Sequence, residues 1–141
     1  MVHKIKQSWT KQNITHGIFL DVDGAFDKIW HNGLIAKIKQ IGIEGKLLQL
    51  FVSYLQNRKQ IVVVEGVKSN TQNITAGVPQ GSKLGPLLFL IYINDITEGL
   101  ESDMLIFADD CSLLSSGNID QTTAILKRDL TKNLLGQLNG K

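Results

Sequence analysis

At 141 residues the chain is the length of one ordinary domain, able to bury about two-thirds of the surface its unfolded form exposes. Its 43% hydrophobic and 20% charged residues, with only two prolines, exclude disordered, collagen-like and disulfide-rich classes. The net charge of +2 is too small to argue for or against a nucleic-acid partner, and the single Cys111 excludes an internal disulfide and any multi-cysteine zinc site.

In chain order, Met1 to Gln12 is polar and basic and lacks the apolar core of a signal peptide. No stretch reaches the roughly 18 apolar residues of a membrane span, so an intracellular protein without a membrane partner is expected, nuclear or cytoplasmic. Gly17 to Val22 is a short apolar run ending in a carboxylate, a buried strand with Asp21 at or near its end. From Asn32, read as an N-cap, Leu34, Ile35, Ile38 and Ile41 repeat at helical spacing until Gly42 stops them. A second amphipathic helix carries Leu47, Leu48, Leu50, Phe51, Tyr54 and Leu55 and ends in Asn57-Arg58-Lys59. Gln60 to Glu65 and Thr71 to Thr75 read as a hairpin, with Gly66 to Asn70 as its loop.

Gly77 to Ser82 cannot be regular structure because two glycines flank a proline, and Leu87 to Ile96 reads as a buried helix opened near Pro86. Met104 to Phe107 and Cys111 to Ser115 are apolar runs separated by Ala108-Asp109-Asp110, a tight hairpin with two carboxylates at its tip. The segment from Asp120 is amphipathic through Ile125, Leu126, Leu130 and Leu134. Strands joined partly by hairpins and partly by helices predict an α+β fold, a mostly antiparallel sheet with helices packed on one face. His3, His16 and His31 lack metal-site spacing and read as surface or packing residues, and Cys111 as a small packing residue.

Asp21, at the end of one strand, and Asp109, in the hairpin between two others, lie 88 positions apart, and the fold can bring them together. Convergent carboxylates suit Mg²⁺, which prefers hard oxygen ligands and takes one or two carboxylates with substrate phosphates and water. For any one of these aspartates alone, a turn or capping role is the simpler reading.

The residues from Phe19 to Asp27 (FLDVDGAFD), from Gly77 to Phe89 (GVPQGSKLGPLLF) and from Phe107 to Asp110 (FADD) stand in an order and spacing that resembles motifs A, B and C of reverse transcriptases. The likeness is to those of non-LTR retrotransposons of the jockey and LINE type and covers Gly17 to Ser115. It implies a polymerase palm and two-metal nucleotidyl transfer onto a primer 3′-OH. Asp21, Asp109 and Asp110 match the catalytic and metal-binding carboxylates, converging on two Mg²⁺ ions or substituting Mn²⁺, and the Val22 main-chain carbonyl matches a further metal ligand. Phe26 matches the bulky residue under the incoming sugar. Gln80 matches the glutamine near the incoming nucleotide and template base, and Gly81 the glycine that lets the backbone come close. RNA template, DNA primer and deoxynucleotide are the implied partners, with Arg58 and Lys59 either touching template phosphate or forming a solvated helix end.

The resemblance also implies fingers before motif A and a thumb after motif C, of which this chain holds neither in full, so other segments of a retrotransposon polyprotein are expected partners. A non-enzymatic remnant of a mobile element is one alternative. Asp21-Val22-Asp23-Gly24 also resembles the opening of haloacid-dehalogenase-type phosphatases, although Ala25 and Phe26 depart from that pattern and those enzymes need parallel strands.

Overall fold

The computed structural model describes residues 2–10, 13–21 and 23–134. In chain order these form α1 (Val2–Thr10), β1 (Ile14–Asp21), α2 (His31–Gln40), α3 (Gly45–Leu55), β2 (Lys59–Gln60), β3 (Val63–Val64), β4 (Val67–Lys68), β5 (Gln72–Asn73), α4 (Leu84–Ile93), β6 (Asp103–Phe107), β7 (Asp110–Gly117) and α5 (Ile119–Arg128), then a π-helical stretch, Asp129–Leu134. The expected α+β class is borne out, and every strand pairing among the described residues is antiparallel. The parallel sheet that the phosphatase alternative requires is not formed among them. The chain folds as two compact units, Met1–Asp23 with Asn94–Lys141, and Gly24–Ile93.

The first unit is built on the three-stranded sheet β1-β7-β6. Side chains alternate across a strand, so the register puts Ile18, Leu20, Cys111, Leu113 and Ser115 on one face. Helix α5 packs against β1 and β7 there, with Leu126 buried and Thr122 Oγ1 3.0 Å from His16 Nδ1. Asn118 caps that helix by accepting from the Gln121 N–H at 3.1 Å. Helix α1 lies against β1 and had no apolar signal strong enough to be read in advance.

Asp129 is fully buried in this unit. Its Oδ2 accepts from the main-chain N–H groups of Glu101 (3.0 Å) and Ser102 (2.8 Å). Burial, the largest single influence, pushes its pKa up, but it is outweighed. The Ser102 hydroxyl, those two N–H groups and the Arg128 charge together hold the carboxyl below its ordinary value, although Ser102 Oγ makes no hydrogen bond of good geometry.

In the second unit α2 packs on α3 and α4. Leu34, Ile38, Phe51, Leu55, Leu88 and Phe89 are buried in it. Burying side chains of this kind contributes about 1.5–3 kcal/mol each. The expected stripes are narrower than their sequence. Ile41 sits at the C-cap of α2 and is 56% exposed, while Leu47 and Leu50 of α3 and Leu87 and Leu90 of α4 also face solvent.

Helix α2 begins at His31, so Asn32 lies inside it, and Trp30 at the N-cap offers no side-chain cap. Trp30 instead bridges to Ala76, and its backbone is committed to that contact. The long-looped hairpin is two short pairs, β2 with β5 and β3 with β4. Its tight turn falls at Glu65-Gly66, both with positive φ, the conformation of a two-residue hairpin turn.

Candidate functional site

The open face of the first unit's sheet carries the carboxylates. Asp21 pairs directly with Asp110 across β1 and β7, and Asp110 pairs with Phe107 across β7 and β6. Directly opposite residues point to the same face with Cβ atoms about 4.5–5.5 Å apart. Asp21 and Asp110 are both exposed there, flanked by Phe19 (69% exposed) and Phe107 (83%). Asp109 is half-buried in the two-residue loop Ala108-Asp109, in which Ala108 has φ +53. The expected hairpin is therefore present, with the carboxylates at its tip.

Among the described residues no three His, Cys, Asp or Glu side chains form a ready-made metal cluster. Two carboxylates meet at one register and the third stands in the loop, which is what repulsion among three like charges favours. The donor set still suits Mg²⁺, since one or two carboxylate oxygens with phosphates and water are its usual ligands. Val22 lies outside the described residues. Cys111, the one soft ligand nearby, is on the opposite face and buried. Burial, and then the charges of Asp110 and Asp109, push its thiol up, so it stays protonated and is a poor competitor for a cation.

The second unit holds the other expected residues on the loop between Ala76 and α4. Gly77 has φ +82, and a Cβ there would lie 2.7 Å from the Asp27 carbonyl oxygen, so only glycine fits. The close approach is stitched by Gly77 N–H to Ile29 O (2.8 Å) and Val78 N–H to Phe26 O (2.9 Å). The Gly77 carbonyl accepts from His31 Nε2 at 2.7 Å and from Arg58 Nη1 at 3.1 Å. His31 is thus a buried positioning group, and Arg58 holds the loop rather than ending a solvated helix.

Ser82 Oγ donates to Pro79 O and accepts from Gly85 N–H, starting α4. Gly81 has φ +75, and a Cβ there would meet no protein atom within 4 Å, so its backbone is open on that side.

Phe26 is half-buried, its ring 4.5 Å from that of Phe89 and tilted by 33°. One side of the ring is anchored in the core, a contact of about 0.5–1.5 kcal/mol beyond its burial, and part of it stays accessible. Gln80 Nε2 donates to both carboxylate oxygens of Asp27, at 3.0 and 3.1 Å. Gln80, Asp27, Arg58, Gln60, Asn73 and Thr75 line an open polar cavity of about 610 Å³. Asp27, His31 and Arg58 were missed in these roles. Asp27 stands beside Phe26 in the first motif, but no spacing rule pairs it with a residue 53 positions away.

An antiparallel sheet with paired carboxylates beside a two-residue hairpin, in a chain that also carries a glycine-proline loop against its first acidic turn, is the pattern of a polymerase palm. The chain matches the family Reverse transcriptase (RNA-dependent DNA polymerase) over residues 1–135 and belongs to it. It is 42% identical over 107 residues to the RNA-directed DNA polymerase from mobile element jockey of Drosophila melanogaster, covering 70% of this chain and 12% of that protein. The jockey polymerase of Drosophila funebris is 37% identical over 125 residues, covering 82% and 14%. The probable RNA-directed DNA polymerase from transposon X-element of Drosophila melanogaster is 37% identical over 115 residues, covering 78% and 13%. The chain therefore spans 12–14% of the length of these relatives.

Proposed function

We propose that the chain is the catalytic palm segment of an RNA-directed DNA polymerase, which joins deoxynucleotides to a DNA primer on an RNA template. The observation that carries this reading is Asp21 facing Asp110 at one register on an open sheet face, with Asp109 next in the hairpin. Like charges directly opposite on a sheet are destabilising, so the pair is best understood as a ligand set. Asp21, Asp109 and Asp110, with the Val22 carbonyl, would hold two Mg²⁺ or Mn²⁺ ions, whose chemistry is to stabilise charge on the attacking and leaving oxygens of phosphoryl transfer.

Phe26, braced by Phe89, gives a rigid wall under the sugar that disfavours a 2′-OH. Gln80 and Gly81, on a loop locked by Gly77, meet the nucleotide and its template base. Arg58 keeps its guanidinium on the Gly77 carbonyl, and its side chain also lines the polar cavity.

Positioning and charge stabilisation dominate phosphoryl transfer, and a basic group on the transferring phosphate contributes about 10³ to 10⁵ in rate. Misplacing a reacting group by about 1 Å costs on the order of 100-fold. The chain spans 12–14% of the length of its relatives, and with such groups placed on segments outside that share, this chain by itself is expected to bind Mg²⁺ weakly and not to extend a primer. The test is Mn²⁺ titration of the ¹⁵N-labelled chain with deoxynucleoside triphosphate present. Selective line broadening at Asp21, Asp109 and Asp110, lost in Asp109→Ala and Asp110→Ala, is expected. Uniform or absent broadening in the folded chain would favour the remnant without catalytic capacity.

A further inference from the structure

We infer that Asp27 is a positioning residue that fixes the amide of Gln80, so that its acceptor Oε1 is turned away from the carboxylate and left for a ligand. This rests on the polymerase reading for the identity of the ligand, but the orientation itself rests only on contacts within the second unit. Gln80 Nε2 is shared between Asp27 Oδ1 and Oδ2 at 3.0 and 3.1 Å. An ionised carboxylate only accepts, whereas a glutamine amide has a donating nitrogen and an accepting oxygen. Turning the amide over would set Oε1 against the carboxylate, oxygen against oxygen. Nε2 is therefore held against Asp27, and Oε1 is turned away from it.

The backbone makes the clamp rigid. Asp27 cannot recede from the loop, because its main chain is the surface against which Gly77 is packed, and Gly77 N–H and Val78 N–H bond to the carbonyls of Ile29 and Phe26 on either side of it. Gln80 is three residues beyond Gly77 on that same loop, and His31 and Arg58 both hold the Gly77 carbonyl. Asp27 and Gln80 are both exposed and both line the polar cavity, so a ligand can reach the amide while Asp27 holds it. The ligand chemistry follows: Oε1 takes a nucleotide or template group that donates a hydrogen bond, a sugar hydroxyl or an exocyclic amine.

Two measurements test this. In the chain itself, the Gln80 side-chain amide protons should exchange with water more slowly than those of an exposed glutamine such as Gln49, and Asp27→Ala should abolish the difference while backbone resonances of α2 and α4 stay in place. In a jockey-type polymerase carrying this chain in place of its matching segment, Asp27→Asn lets the amide turn either way. It should raise KM for the incoming nucleotide about 3- to 10-fold with less change in kcat, a loss of up to about one tenfold step in binding. In a Gln80→Ala background the same substitution should change neither, because residues acting through one contact are not additive. An Asp27→Asn effect that persists undiminished without Gln80, or a Gln80 amide that exchanges freely in the unaltered chain, would overturn the proposal. If no version of the graft extends a primer, the polymerase reading fails, while amide exchange still decides the orientation.

Discussion

At the scale of single residues, the proposed function opposes stability at the carboxylate pair and is aligned with it at the loop. Asp21 and Asp110 face one another with like charge, so Asp21→Asn or Asp110→Asn should stabilise the metal-free chain by about 0.2–1 kcal/mol. Thermal or urea melts in a chelator will show it as a raised midpoint, and an unchanged or lowered midpoint would mean the two do not repel. Gly77→Ala should do the reverse. A non-glycine residue at φ +82 with a Cβ 2.7 Å from a carbonyl oxygen costs about 2–4 kcal/mol from backbone strain and overpacking together, read as a lower urea midpoint at constant m-value. The proposed site residues Asp21, Phe26, Gln80, Gly81, Asp109 and Asp110 were picked out in the sequence because they stand in the three motifs. The groups that hold them were not, since His31, Arg58 and Asp27 act through main-chain oxygens or across 19 to 53 positions.

Elements were legible where one strong local signal dominated. The β6-β7 hairpin was read from two apolar runs around Ala108-Asp109-Asp110, and its turn places Ala108 at φ +53. Glycine is the residue favoured at such a position. Ala108→Gly should therefore raise the unfolding free energy by about 0.5–1 kcal/mol, the relief of left-handed strain of about 1–2 kcal/mol less the entropy glycine loses on folding; a lower melting midpoint would show that the turn is unstrained.

The start of α2 was misplaced because Asn32 looks like a cap while the N-cap is taken by Trp30, whose bridge to Ala76 is tertiary. Helix α5 was foreseen, but the buried carboxylate just beyond it was not: the partners of Asp129 are main-chain N–H groups, which no side-chain pattern reports. That carboxyl is held below its ordinary value, so its contribution is present above about pH 4 and lost as pH falls through the depressed value. Asp129→Ala should cost about 1–3 kcal/mol at neutral pH by leaving buried N–H groups unmatched. Acid titration of stability should then be shallower in the variant, and an equal slope would remove Asp129 from the acid response.

At the scale of the whole molecule, the antiparallel class follows from strands joined by hairpins, while the division into two units was not legible, because no linker or change of composition marks it. One unit carries the carboxylates and the other the Gly77 to Ser82 loop, and the central claim is that both serve nucleotide addition. The most direct measurement is primer extension on an RNA template by a jockey-type polymerase carrying this chain in place of its matching segment, beside the chain alone. Extension by the graft, abolished by Asp109→Ala and admitting more ribonucleotide with Phe26→Val, is expected, with none from the chain alone. Extension that survives Asp109→Ala would contradict the assignment of Asp109, and a folded graft with no extension would contradict the claim that this segment is a working palm.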